Sequence, residues 1–114
     1  MPGYAIDYFE LPSSANAKSR SFFDKAFGWT FKDYGPDYTE IHGAQVIGGI
    51  NSDATDKSSA PLIGIHTDDI VAAEQAVIAA GGDITRPIYD FPGGKRFYFR
   101  EPGGAELMVY MESN

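Results

Sequence analysis

Apolar and polar residues along the first half of the chain predict one strand, one helix and three further strands. Residues 4–11 mix aromatic and branched side chains and predict a strand that stops at Pro12. A helix follows, with Ser13 or Ser14 as its N-cap and Gly28 at its end. Its apolar residues recur at helical spacing: Ala15, Phe22, Phe23, Ala26 and Phe27. Residues 29–35 predict the next strand, and residues 38–50 predict two short strands around a turn at Gly43.

The same order of elements returns in the second half. Residues 61–67 predict a strand, and a helix follows with Asp68 or Asp69 as its cap and Gly81 at its end. One side of this helix is predicted to be apolar through Ile70, Ala73, Val77, Ile78 and Ala80. Three strands complete the set: DITRPIYDF, in which Pro87 favours a sheet edge or a bend, then KRFYFRE and AELMVYME.

This repetition indicates an internal duplication. The two helix-ending glycines, Gly28 and Gly81, stand 53 residues apart. Between the two sets, residues 51–60 are small and polar, as in a surface linker. We therefore predict one domain over residues 1–114, with module 1 at about 4–50, the linker at 51–60 and module 2 at about 61–112.

Composition excludes several functions. A net charge of -7 and a pI near 4.6 argue against a nucleic acid or an anionic membrane as the partner. The chain has no cysteine, which excludes disulfides, thiolate catalysis and thiolate metal sites. We see no signal peptide and no apolar run long enough to cross a bilayer, so we expect a soluble, cytoplasmic protein.

Four segments in this order resemble the vicinal oxygen chelate superfamily, which includes glyoxalases, bleomycin-resistance proteins and extradiol dioxygenases. They are YFELPSSANAKSRSFFDKAFGW, IGGI, DDIVAAEQAVIAAGGDI and PGGKRFYFREPGGAELMVY. The resemblance covers nearly the whole chain. It implies an α+β fold, with two βαβββ modules forming a cupped, half-open mixed-sheet barrel around a cavity and the helices outside. It also implies a homodimer.

Enzymes of that superfamily hold a divalent metal, and the resemblance places the ligand positions at Tyr8, Leu62 and Met108, with a fourth around residues 47–49. Leucine and glycine offer no donor, methionine is a soft thioether, and tyrosine is a poor ligand for hard cations. We therefore predict that the family metal site is lost and that the protein needs no cofactor.

One alternative keeps a metal or acid–base chemistry. Residues two apart in a strand share a face, so Glu10, His66 and Glu106 would lie on the same side as the three family positions. A histidine and two carboxylates suit a divalent metal or proton transfer. The other interpretation is that they line a polar pocket or its rim.

One further group of side chains has two interpretations. Arg96, Tyr98 and Arg100 alternate with Phe97 and Phe99, as on a strand with a solvated face opposite a core face. In a functional interpretation, Arg96 or Lys95 meets an anionic ligand. His42, beside the turn at Gly43, is expected to be a solvent-exposed turn residue.

These observations predict a protein that binds a small organic molecule in the sheet cavity, without the family metal. Sequestration of a toxic compound, as in bleomycin resistance, is one version of this role. A metal-dependent lyase, isomerase or dioxygenase with Glu10, His66 and Glu106 as catalytic residues is the first alternative, and a non-catalytic interaction or regulatory module is the second. The predicted ligand-binding residues are Tyr8, Glu10, His66, Arg96, Glu106, Met108 and Tyr110.

Overall fold

A computed structural model describes residues 3–113 and has the predicted α+β class. Its elements, in chain order, are β1 (Ala5–Pro12), α1 (Asn16–Phe27), β2 (Thr30–Asp33), β3 (Tyr38–His42), β4 (Ile47–Asn51), β5 (Leu62–His66), α2 (Ile70–Ala79), β6 (Asp83–Phe91), β7 (Gly94–Arg100) and β8 (Glu106–Glu112). The two predicted βαβββ modules are thereby confirmed. In the described part of the chain, no helix is long and apolar enough to cross a membrane.

The chain separates into two compact units. One comprises Tyr8–Leu62, and the other comprises the described residues before Tyr8 and after Leu62. In the first unit, which we call the first module, the strand order is β2-β3-β4-β1. Strand β4 runs parallel to β1 and antiparallel to β3, so this module has a mixed sheet.

The first helix ends as predicted but begins differently. Gly28 adopts the left-handed conformation, and its N–H donates to the carbonyl oxygen of Asp24, which closes the last turn. The N-cap is Ala15, which has no capping side chain, so the prediction of a cap at Ser13 or Ser14 was wrong. The Ser13 hydroxyl instead accepts the N–H of Ala15 and contacts the Ser19 hydroxyl at 2.6 Å.

In the second unit, the second module, the strand order is β5-β8-β7-β6. Strand β5 pairs in parallel with β8, and β7 pairs antiparallel with both β8 and β6. Strand β6 lies at the edge of this order, and its pairing with β7 shifts between Arg86 and Tyr89. Pro87 lies within that irregular stretch, which confirms the predicted edge or bend, because proline cannot donate a ladder hydrogen bond.

Helix α2 covers one face of the second module's sheet. Its N-cap is Asp69, whose carboxylate accepts the N–H of Ala72 at 3.0 Å, as predicted. The core cluster beneath it consists of Ile70, Ala73, Phe97, Phe99 and Val109. The predicted apolar side of the helix was too wide: Ile78 and Ala80 are exposed, because the core ends at Val77.

Candidate functional site

The second module presents a polar sheet face on the side opposite α2. Side chains alternate along a strand, and Phe97, Phe99 and Val109 point into the core under α2. Their strand neighbours therefore occupy the other side, which we call the helix-free face. Its residues in β5, β7 and β8 are His66, Arg96, Tyr98, Glu106, Met108, Tyr110 and Glu112. Except for Glu112, these positions are buried or half-buried, which is unusual for so polar a set.

Arg96 lies at the centre of this face among aromatic rings. Its residue is only 5% exposed. The guanidinium carbon lies 5.1 Å from the ring centroid of Phe91, 5.4 Å from that of Tyr89 and 5.7 Å from that of Tyr98. Its Nε donates to the Tyr89 hydroxyl, and Nη1 lies 3.5 Å from the Met108 sulfur. A permanent positive charge is thus held among aromatic rings and largely away from solvent, where electrostatic interactions are stronger than in water.

The interpretation of this strand face as solvated was wrong for two of its three residues. Arg96 and Tyr98 are buried, and only Arg100 is exposed, where it donates to the carbonyl oxygen of Gly104 at 2.7 Å. Lys95 is exposed on the other side of β7 and pairs with Asp90 at 2.6 Å. Of the two predicted anion-binding candidates, therefore, only Arg96 belongs to the helix-free face.

Strand β6 adds a second arginine and a tyrosine. The Arg86 guanidinium carbon lies 3.5 Å from the Tyr89 ring centroid and 5.6 Å from that of Tyr98. The two phenol oxygens, of Tyr89 and Tyr98, are 3.4 Å apart. Burial, with a smaller effect of the Tyr98 hydrogen bond, raises the pKa of Tyr89 well above its ordinary value. Tyr89 therefore keeps its proton at neutral pH, and its hydroxyl donates to the Tyr98 oxygen.

The strand registers place four of these side chains in one row across the sheet. His66 is paired with Tyr110, Tyr110 with Arg96, and Arg96 with Tyr89. The His66 ring meets the Tyr110 ring edge-on at 5.2 Å, and its Nε2 lies 3.2 Å from a carboxylate oxygen of Glu112. The Tyr110 hydroxyl donates to Asp7, in the same unit, at 2.5 Å. The row therefore begins at the half-buried imidazole of His66, passes Tyr110 and the buried guanidinium of Arg96, and ends at Tyr89.

The first module has its own polar cluster, centred on Glu10. This residue is 1% exposed, and its carboxylate accepts hydrogen bonds from the Tyr38 hydroxyl and the Asn51 amide, both at 3.1 Å. The Tyr38 hydroxyl also contacts that of Tyr8. Burial, reinforced by the Glu10 charge and then by Tyr8, raises the pKa of Tyr38 strongly. The buried carboxyl group of Glu10 is thus hydrogen-bonded to a phenol and an amide, as buried polar groups usually are.

Two members of the predicted metal or acid–base set, His66 and Glu106, lie in the second module and have different partners there. Glu106 accepts a hydrogen bond from Thr85 at 2.6 Å, whereas His66 meets Glu112. His66 pairs with Tyr110, and Glu106 lies four residues before Tyr110 in β8, so the backbones of His66 and Glu106 are about 13 Å apart along the strand direction at the usual rise. Within residues 3–113 no three histidine or acidic side chains are grouped so that they could hold a metal ion.

The positions that the resemblance assigns to metal ligands also fail as donors. Leu62 and Met108 are buried, with hydrocarbon and thioether side chains, and the Tyr8 hydroxyl is hydrogen-bonded to Tyr38. These residues do not fit a divalent metal that prefers oxygen or imidazole ligands.

His42 is not a free turn residue either: it ends β3, is half-buried, and its Nε2 lies 2.7 Å from a Glu40 oxygen.

Several residues of the two clusters were missed by the sequence analysis. Tyr89 and Arg86 lie where the β6 register shifts, so a strict alternation could not assign their face. Glu112 follows Tyr110 by two residues, and that spacing could have placed it beside His66. Tyr38 and Asn51 reach Glu10 only through strand pairing, which the sequence does not show.

Comparisons with known proteins agree with the fold. The model of the Glyoxalase/Bleomycin resistance protein/Dioxygenase superfamily matches residues 5–109. No curated protein matches the sequence significantly. Three of the similar solved structures have different descriptions.

A Legionella pneumophila protein described as an NAD-dependent benzaldehyde dehydrogenase has a TM-score of 0.77 and 12% identity, covering 93% of this chain and 98% of that one. Methylmalonyl-CoA epimerase from Mycobacterium tuberculosis has a TM-score of 0.74 and 8% identity, covering 96% and 88%. A glyoxalase/bleomycin resistance protein/dioxygenase superfamily member from Vibrio splendidus has a TM-score of 0.66 and 16% identity, covering 99% and 100%. At these identities, the likeness concerns the fold alone.

Proposed function

Since the chain belongs to the Glyoxalase/Bleomycin resistance protein/Dioxygenase superfamily, we propose that it binds a small organic anion on the helix-free face of its second module, without a metal. Arg96 is the anion-binding group in this proposal. The observation that carries it is the buried guanidinium surrounded by the rings of Tyr89, Phe91 and Tyr98. Ligand sites combine apolar walls with a few placed polar groups, and this cluster has that composition.

The arginine favours a planar, delocalised anion. A guanidinium stays charged at any physiological pH and presents donors in a fork that matches a carboxylate. Arg86 lies over the Tyr89 ring on the same face, which adds a second positive charge in a protein whose net charge is -7. A carboxylate that lies beside Arg96 and Arg86 is therefore attracted by two positive charges, whereas the carboxylates of this face, Glu106 and Glu112, contact Thr85 and His66.

The surrounding rings favour an aromatic body on the ligand. Aromatic side chains stack on flat groups with a gain beyond the area that they bury. The Tyr89 hydroxyl accepts from Arg96 Nε and so holds the guanidinium in place beside these rings. The best simple probe is thus an aromatic carboxylate such as benzoate. Sequestration of such a compound is the role that we infer, because the residues present do not fit the metal on which the family's enzymes depend.

Calorimetric titration tests this proposal. Wild-type protein is expected to bind benzoate and to bind benzamide, the neutral analogue of the same shape, at least tenfold more weakly, because a hydrogen bond to a charged group contributes about 1.5–3 kcal/mol. Arg96→Gln is expected to remove the preference for the anion. Arg96→Lys should restore only part of it, since an ammonium lacks the planar fork. Lys95→Gln, which removes a neighbouring exposed charge, is the matched control and should bind like the wild type.

Circular dichroism and a melting curve establish that each variant is folded before titration. Benzoate binding that persists unchanged in folded Arg96→Gln, or wild-type protein that binds neither benzoate nor any other aromatic carboxylate, overturns the proposal. Elemental analysis of the purified protein is the second test. A stoichiometric divalent metal that His66→Ala removes would support the metal-dependent alternative instead.

A further inference from the structure

The row across the second module's sheet continues beyond the arginine to a histidine. Arg96 in β7 and His66 in β5 are both register partners of Tyr110 in β8, on its two sides. Neighbouring strands lie about 4.8 Å apart, so the two backbones are separated by roughly 10 Å, with the Tyr110 ring between them. A flat molecule whose carboxylate meets Arg96 would thus lie along Tyr110 and direct its far end towards His66.

Glu112 determines what the imidazole can offer. The carboxylate oxygen of Glu112 lies 3.2 Å from His66 Nε2 and can only accept a hydrogen bond when ionised. In a neutral imidazole, Nε2 then carries the proton and donates it to Glu112, which leaves Nδ1 as an acceptor. The edge-on contact with Tyr110 holds the ring on the same face. His66 is only half-buried, so a ligand can reach it.

We propose that His66 is a specificity-determining residue, which accepts a hydrogen bond from a hydroxyl group at the end of the ligand opposite its carboxylate. The ligand class is then a hydroxylated aromatic carboxylate. Glu112 is the positioning residue that keeps Nδ1 free to accept. This inference rests on the proposed function, since it assumes that Arg96 binds the carboxylate.

The experiment compares pairs of ligands in the same protein. Wild-type protein is expected to bind 4-hydroxybenzoate about 2- to 10-fold more tightly than benzoate, the gain typical of one hydrogen bond. The matched control ligand is 4-methoxybenzoate, which has the oxygen but no proton to donate and should show no gain. The compound 3-hydroxybenzoate should gain less, because its hydroxyl is closer to the carboxylate.

Two pairs of variants separate a specific role from a structural one. His66→Phe keeps a ring against Tyr110 but removes the acceptor, so the ratio of the affinities for 4-hydroxybenzoate and benzoate should fall to about one. Glu112→Leu should reduce the gain, because Nε2 loses its partner. Glu112→Gln should largely preserve it, since the amide oxygen still accepts from Nε2. A merely structural effect would change binding of benzoate and 4-hydroxybenzoate alike.

The outcomes distinguish the two proposals. If the wild type binds neither benzoate nor 4-hydroxybenzoate nor any other aromatic carboxylate, the proposed function fails and this inference fails with it. If benzoate binds through Arg96 but 4-hydroxybenzoate binds no more tightly, or if His66→Phe keeps the whole gain, the inference about His66 is wrong and the proposed function stands.

Discussion

Gly49 lies against the hydroxyl group of Tyr38, so closely that a Cβ atom on residue 49 would overlap the phenol oxygen. The same Cβ would lie 2.6 Å from the Tyr8 oxygen. The bare backbone of β4 is therefore what allows both phenols to gather over Glu10. In this place, glycine serves close packing, since its φ is not among the left-handed ones.

We expect Gly49→Ala to destabilise the protein by about 1–3 kcal/mol, the usual effect of overpacking a filled site. The reason is the overlap with Tyr38, because alanine in an extended strand would otherwise be favoured over glycine. Urea denaturation measures the change. Gly3→Ala is the control, since its Cβ would meet nothing within 4 Å. Equal stability of the two variants would contradict the packing described here.

The raised pKa of Tyr38 predicts a stability that falls at alkaline pH. The folded state favours the neutral phenol. The contribution of Tyr38 to the free energy of unfolding is therefore fully present below the unfolded pKa, near 10, and is lost as the pH rises above it. Tyr38→Phe should be less stable than the wild type at pH 7, by about 1 kcal/mol, because the hydrogen bond to Glu10 is lost. Above pH 10 its stability should decline less steeply.

Denaturation at a series of pH values measures this slope, and phenolate absorbance follows the ionisation directly. The control is Tyr4→Phe, which removes an exposed phenol. Parallel declines of wild type and Tyr38→Phe between pH 10 and 11 would show that Tyr38 ionises like an ordinary tyrosine.

The hairpin turn after β7 predicts the opposite dependence at acid pH. The Glu101 carboxylate accepts the N–H groups of Ala105 at 2.6 Å and Gly103 at 2.7 Å, and these bonds hold its pKa below the ordinary value. The contribution of the Glu101 carboxylate to the stability of the folded state is therefore present above the unfolded pKa, about 4.3, and is lost as the pH falls through the folded pKa.

Glu101→Gln should accordingly melt at a lower temperature than the wild type at pH 7, and the difference should shrink below about pH 4. Melting curves from pH 7 to pH 3 measure it. Asp68→Asn, which removes an exposed carboxylate outside this turn, is the control and should show no comparable loss at pH 7. A difference between wild type and Glu101→Gln that stays constant with pH would contradict the role of the charge.

The two helix starts predict unequal effects of alanine. Asp69→Ala should cost about 0.5–2 kcal/mol, because the N–H of Ala72 loses its capping acceptor. Ser14→Ala should change the stability by less than about 0.5 kcal/mol, since α1 has no side-chain cap and Ser14 is exposed. Chemical denaturation compares them, and a larger loss for Ser14→Ala would contradict the helix start at Ala15.

Phe97, in the core beneath α2, and Phe22, on α1, should also differ in how much stability is lost when each is replaced by alanine. Phe97 is 0% exposed in the core under α2, and Phe97→Ala should cost about 3–5 kcal/mol. Phe22 on α1 is 59% exposed and touches mainly the rings of Phe23 and Phe27, so Phe22→Ala should cost less than about 1 kcal/mol. Comparable losses in urea denaturation would show that Phe22 is covered in solution.

The order of strands and helices could be predicted from the sequence, because local signals decide it. Gly28 permits the left-handed turn that ends α1, Asp69 caps α2, and Pro87 excludes a regular central strand. Each signal acts within a few residues of its own position. The repetition of the same signals after residue 60 was enough to indicate two modules.

The candidate site depended on the tertiary structure. Alternation alone placed Arg96 and Tyr98 on the face away from Phe97, but it could not tell solvent from a cage of rings, because Tyr89 joins them only through a shifted strand register. In the same way, His66 meets Glu112 rather than Glu106 because β5 pairs with β8 in one particular register. Sequence spacing determines which side of a strand a residue takes, whereas pairing between distant strands determines its neighbours, and the neighbours decide the charge, burial and chemistry of the site.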